Sequence, residues 1–129
     1  MVAMYKTHLF LAVSLVALTG CAKTPKDKLQ GKWLGEGIDN VPAGQVAKAT
    51  GWVKGTAIEF NGSKVTVTIP AETPRTGTFR VASVDGDKIT LTFLRDEGGR
   101  DEAMFRMSDD KTLHWAIGPQ AEVVLVKAQ

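Results

Sequence analysis

From Val65 to the C-terminus the chain alternates apolar and polar residues with a period of two, and short turn sequences interrupt it every eight to twelve residues. Val65, Val67 and Ile69 alternate with Thr66 and Thr68, and Ile89, Leu91 and Phe93 with Thr90 and Thr92. Ala103, Phe105 and Met107 alternate with Glu102, Met104 and Arg106, and Leu113, Trp115 and Ile117 with His114 and Ala116. Successive side chains of a strand point to opposite faces, so this pattern gives each strand one apolar and one wet face. Asn61-Gly62, Asp85-Gly86-Asp87, Glu97-Gly98-Gly99 and Asp109-Asp110-Lys111 read as tight connections. Connections this short force neighbouring strands to run antiparallel.

Strands are expected near 30–35, 52–60, 63–69, 76–83, 88–95, 100–107, 112–117 and 122–127. A meander of about eight strands with one face to bury removes its exposed edges by closing on itself. The predicted fold is all-β, an antiparallel up-and-down barrel, with a flattened two-sheet sandwich as the second choice. Between the first two strands, Asn40 can cap a short helix with Pro42 in its first turn and Gly51 at its end. Gly55 is expected to mark a bulge in the second strand.

The N-terminus has a different character. Residues 1–6 carry one basic side chain and no acidic one, and Leu9 to Leu18 is an apolar run of ten residues. A spanning helix needs about 20 apolar residues, so the run reads as a secretory signal and not as a permanent span. It ends in Leu18-Thr19-Gly20-Cys21, and Cys21 is the only cysteine in the chain. These four residues resemble the lipobox of bacterial lipoproteins. The resemblance implies cleavage before Cys21, a diacylglycerol thioether on its thiol, and acylation of the new amine. It also implies a protein held at the cell membrane by lipid. Ala22 stands where an aspartate would retain an enterobacterial lipoprotein at the inner membrane, so the periplasmic face of the outer membrane is the expected destination in a Gram-negative cell. Residues 21–28 are expected to form a polar tether and residues 29–129 the barrel domain.

Removal of residues 1–20 leaves 109, the size of one domain. Lys6 belongs to the export segment, so 15 of the 16 Lys and Arg side chains face 14 acidic ones. That balance argues against a nucleic-acid surface, which needs a basic stripe.

Gly31-Lys32-Trp33 on the first strand, followed by a short helix and a run of hairpins, resembles the small lipocalin-like domains of bacterial envelope lipoproteins. The resemblance implies that Trp33 plugs one end of the barrel and that a basic residue of the last strand, here Lys127, packs over it. It also implies a binding protein for a small apolar ligand or lipid, without enzymatic activity. The inward phase contains Trp33, Trp52, Phe60, Phe79, Phe93, Phe105, Met107 and Trp115. Side chains ordinarily fill a small barrel, which makes a packed core the first expectation. If the interior is hollow, Trp33, Trp52, Phe79, Phe93, Phe105 and Trp115 are the candidate ligand contacts. The alternative role is an accessory lipoprotein that binds another envelope protein through its outer face or loops.

Catalytic and metal chemistry find little support. His114 is the sole histidine beyond the export segment and lies on the polar phase of its strand, where a triad's base would lack a buried partner. No second histidine lies beyond the export segment to complete a zinc site, and Asp85-Gly86-Asp87 is too short for a calcium loop. Asp96-Glu97 and Asp101-Glu102 flank Gly98-Gly99 as paired acids at a hairpin tip, which are ordinarily solvated. No phosphate-binding loop is present, and neither a catalytic residue, a metal nor a cofactor is expected.

Overall fold

A computed structural model describes residues 23–129. Eight antiparallel strands form a closed barrel in strict sequence order, β1 beside β2 and so on to β8, which returns to β1. The strands are β1 (Gly31–Asp39), β2 (Ala57–Asn61), β3 (Lys64–Thr68), β4 (Arg75–Asp85), β5 (Lys88–Arg95), β6 (Arg100–Asp109), β7 (Thr112–Ala116) and β8 (Glu122–Lys127). Helix α1 (Pro25–Leu29) precedes β1, and a 3-10 turn (Ala43–Gln45) leads into helix α2 (Val46–Val53) between β1 and β2. The fold is the predicted up-and-down barrel with a short helix after its first strand.

Alternation places the core. Ile58 and Phe60 of β2, Phe79 of β4, Leu91 of β5, Phe105 of β6, Leu113 of β7 and Leu125 of β8 are buried on the inward phase of their strands. The β1–β8 register sets Trp33 opposite Lys127 and closes the ring, with a bulge between Gly35 and Gly37 that bends β1. At Gly62 and Gly86 the tight turns take positive φ angles of 63° and 64°, which glycine adopts without steric cost.

The two ends of the barrel differ. At one end lie the tight β2–β3, β4–β5 and β6–β7 turns together with α1. Thr24 and Asp27 form a capping box on α1, the Thr24 hydroxyl accepting from the Asp27 N–H at 3.2 Å and the Asp27 carboxylate accepting from the Thr24 N–H at 3.3 Å. Gln30 then exchanges two hydrogen bonds with the backbone of Gly62, and Lys26 Nζ donates to Ser63 Oγ at 2.6 Å. Leu29 and Trp33 are fully buried beneath this cover, and Trp33 Nε1 donates to the Leu29 carbonyl at 2.8 Å. Lys127 Nζ lies 5.4 Å from the centroid of the Trp33 ring, a cation–π contact that completes the closure.

The longer connections gather at the other end. Helix α2 packs on β1 there, and its Val53 enters the core. Gly35 permits the approach, since a Cβ at that position would lie 1.9 Å from the Val53 carbonyl oxygen. Asn40 Nδ2 donates to the Gln120 carbonyl at 3.1 Å and ties the start of this connection to the β7–β8 loop.

Several local expectations are corrected. Residues 52 and 53 belong to α2 and not to the second strand, which begins at Ala57. Trp52 therefore sits on a helix, 37% exposed, where the alternation had placed it inside. Asn40 is no helix cap, because it occupies the left-handed region at φ 62°. Gly51 lies within α2 and does not end it, and Gly55 lies in the loop against Pro70 and not in a bulge. Part of the expected tether, from Pro25 on, is the docked helix α1. The export segment and Cys21 lie outside the described residues.

Candidate ligand cavity

The barrel is filled at its closed end and hollow at the other. Phe60 and Phe79 meet edge to face, with centroids 4.8 Å apart, and fill the middle of the closed half. Phe105 forms the boundary: it stacks on Trp115 at 6.1 Å and meets Phe93 edge-on at 6.4 Å. Beyond it a cavity of about 190 Å³ opens toward the long connections. Its walls are Val65, Val67, Ile69, Phe93, Ala103 and Trp115, nearly all apolar. Ala103 holds an inward position in this wall and reaches too little toward the axis to fill it, and no side chain enters from Gly77, where a Cβ would lie 2.1 Å from the Leu94 carbonyl oxygen.

Of the six candidate contacts, the structure brings Phe93 and Trp115 together in the cavity wall. Trp33, Phe79 and Phe105 lie in the packed core, where they support the cavity without lining it. Trp52 is on the outer side of α2. The aliphatic wall from β3 and the small residues that create the void escaped the sequence reading. Counting large apolar residues finds a core, whereas a cavity is marked by a small residue, here Ala103, among them.

Charged residues form the rim. Arg75, Arg95 and Asp101 continue the inward phases of β4, β5 and β6 where these strands reach the open end. Arg95 Nε lies 3.0 Å from Asp101 Oδ2, and its Nη2 donates to Oδ1 at 3.4 Å. The Nε–H is directed away from the carboxylate, so the Nη2 bond and the opposite charges hold the pair. Arg75 pairs with Glu72 at 3.2 Å, both half-exposed. Asp96 accepts a hydrogen bond from the Thr76 hydroxyl at 2.7 Å. The acids that flank Gly98-Gly99 are thus rim groups, exposed to solvent.

A second polar cluster lies on the outer face of β1, β6, β7 and β8. Arg106 Nη2 donates to Glu122 Oε1 at 2.9 Å, which holds the Arg106 pKa above its usual value. His114 is on the outward phase as expected, yet its side chain is only 13% exposed, with Nε2 3.1 Å from Ser108 Oγ and Nδ1 3.6 Å from Glu122 Oε1. Asp39, His114 and Glu122 offer ligand atoms within 4.8 Å of one another. The Arg106 guanidinium already supplies positive charge to the Glu122 carboxylate, so this geometry is accounted for by an ion-pair network.

Compared with known proteins, the chain matches no family model, no curated protein and no solved structure.

Proposed function

We propose that this protein is a lipid-anchored component of a bacterial envelope that binds a small apolar ligand in the open half of its barrel, without catalysing a reaction. The observation that carries the reading is the apolar cavity walled by Phe93 and Trp115 at one end of an otherwise filled barrel. Its size sets the scale of the ligand. An apolar protein cavity of about 150 Å³ accepts one benzene molecule, whereas sites for drug-sized ligands run from about 300 Å³ upward. A void of about 190 Å³ suits one ring or a chain of about six carbons, or the corresponding end of a larger lipid. The lipid anchor rests on Leu18-Thr19-Gly20-Cys21, with roughly 0.8 kcal/mol of membrane affinity per buried methylene.

Protein-binding through the outer face has less behind it. Among the described residues the exposed large apolar side chains, such as Leu34, Val84 and Met104, are spread over different strands.

Two experiments test the proposal. Titration of the full chain with n-hexanol, followed by proton NMR of the tryptophan indole N–H groups, should shift the Trp115 resonance, assigned with W115F. Ala103→Leu should fill the void, abolish that shift and leave the fold intact. An unperturbed Trp115 up to the solubility limit of hexanol would end the ligand-binding reading. For the anchor, metabolic labelling with an alkyne fatty acid in a bacterial host should mark the wild type and leave Cys21→Ser unlabelled. Equal labelling of both would refute it.

A further inference from the structure

Two aromatic side chains of the barrel interior are left partly uncovered, and the tilt of their planes bears on what can cover them. Among the described residues Trp33, Phe60, Phe79 and Phe105 are buried in the core, whereas Phe93 and Trp115 are only partly buried. Both border the cavity, from β5 and β7, with Ala103 of the intervening β6 beside them. The open side of the void is thus an aromatic surface that no side chain of the protein completes.

The relative tilt of these two rings follows from Phe105. Phe105 lies within 20° of the Trp115 plane and stands at 68° to Phe93, so Phe93 is steeply inclined to Trp115. Aromatic pairs favour offset stacking or an edge-to-face meeting, because ring faces are negative and ring edges positive. A ligand ring parallel to Trp115 therefore meets Phe93 edge to face and makes both favoured contacts at once. Phe105 already makes this pair of contacts from the filled half, with its centroid 6.1 Å from Trp115 and 6.4 Å from Phe93. Across the barrel from β7, strand β3 supplies Val65, Val67 and Ile69. Branching at Cβ keeps these side chains stiff, which gives a ring a firm surface on its other side. An alkyl chain of similar volume gains neither aromatic contact, and it loses on binding a rotational freedom that a rigid ring never had.

We infer that the cavity takes a monocyclic aromatic group, stacked on Trp115 and edge-on to Phe93, in preference to an alkyl chain. This rests on the cavity being a ligand site, and it names the chemical class of ligand. A void of about 190 Å³ exceeds the roughly 150 Å³ that holds benzene, which leaves room for one small substituent on the ring.

The test compares three alcohols of equal carbon number, benzyl alcohol, cyclohexylmethanol and n-heptanol, titrated into the full chain while the Trp115 indole resonance is followed. Each affinity is divided by the alcohol's octanol–water partition coefficient, which removes the plain hydrophobic difference. On that scale benzyl alcohol should bind about five- to tenfold tighter than either of the others. Its ring protons should also move upfield when bound, because they lie over the face of Trp115. Phe93→Leu keeps the wall apolar but removes the edge-to-face partner, and should lower the preference about twofold or more. If that variant does not fold, the upfield shift in the wild type decides. Equal affinities on that scale, a preference undiminished in Phe93→Leu, or ring protons that do not move upfield would overturn this inference and leave the cavity reading standing. Failure of all three alcohols to perturb Trp115 would overturn both.

Discussion

Two glycines of β1, two residues apart, carry opposite consequences. A Cβ at Gly35 would overlap the Val53 carbonyl, whereas one at Gly37 meets nothing within 4 Å. Overpacking of a well-packed site costs about 1–3 kcal/mol, so Gly35→Ala should lower stability by at least that much in urea denaturation. Gly37→Ala should be neutral, or should stabilise by up to about 1 kcal/mol through the unfolded chain. Equal effects would mean that α2 does not rest on β1 at Gly35. Asp109 is a second residue with a definite sign. Its carboxylate accepts the Lys111 N–H at 2.8 Å, which lowers its pKa below the ordinary aspartate value. The stability this contributes is present above the unfolded pKa of about 3.9 and is lost as pH falls through the depressed folded value. An NMR titration should find the Asp109 midpoint below that of an unfolded peptide, and Asp109→Asn should flatten the acid limb of the stability curve.

At the scale of elements, α1 is the informative case. Five residues are too few for an isolated helix in water, so α1 persists through its capping box and its contacts with the barrel. Thr24→Ala removes the side-chain half of the capping box and should cost about 0.5–1 kcal/mol, read by urea denaturation. Hydrogen exchange at Lys28, whose N–H donates to the Thr24 carbonyl at 3.0 Å, should accelerate in that variant while β5 amides stay protected. Unchanged exchange at Lys28 would show that Gln30 and Lys26 alone hold the helix in place. Helix α2 illustrates the opposite situation. Alternation fails over residues 46–53 because this segment is helical, with Val53 in the core, Ala49 and Thr50 half-buried, and the rest facing solvent.

For the whole molecule, helix α1, the first described element, and the cavity lie at opposite ends. Helix α1 is fixed at the closed end, and the three residues from Cys21 to Thr24 span about 10 Å at most. The cavity opens beyond the other end, roughly 20 Å away for tilted strands of this length. If Cys21 carries lipid, the closed end faces the bilayer, the mouth faces away from it, and the ligand enters from the aqueous side. In liposomes with spin-labelled headgroups, the amides of Gly62, Gly86 and Lys111 should broaden more than those of Glu97, Gly98 and Gln120. The reverse pattern would place the mouth at the membrane.

The period of two and the glycine-bearing turns were enough to specify an eight-stranded antiparallel meander, and Gly31, Trp33 and Lys127 pointed to a closed end that the cation–π contact completes. These features are local, since a strand's inward face and a hairpin's turn are written in consecutive residues. The hollow half was not legible in that way. It depends on which inward residues reach the same height on different strands, a matter of register and shear. Only tertiary pairing could bring Val65 and Val67 of β3, Phe93 of β5, Ala103 of β6 and Trp115 of β7 around one void.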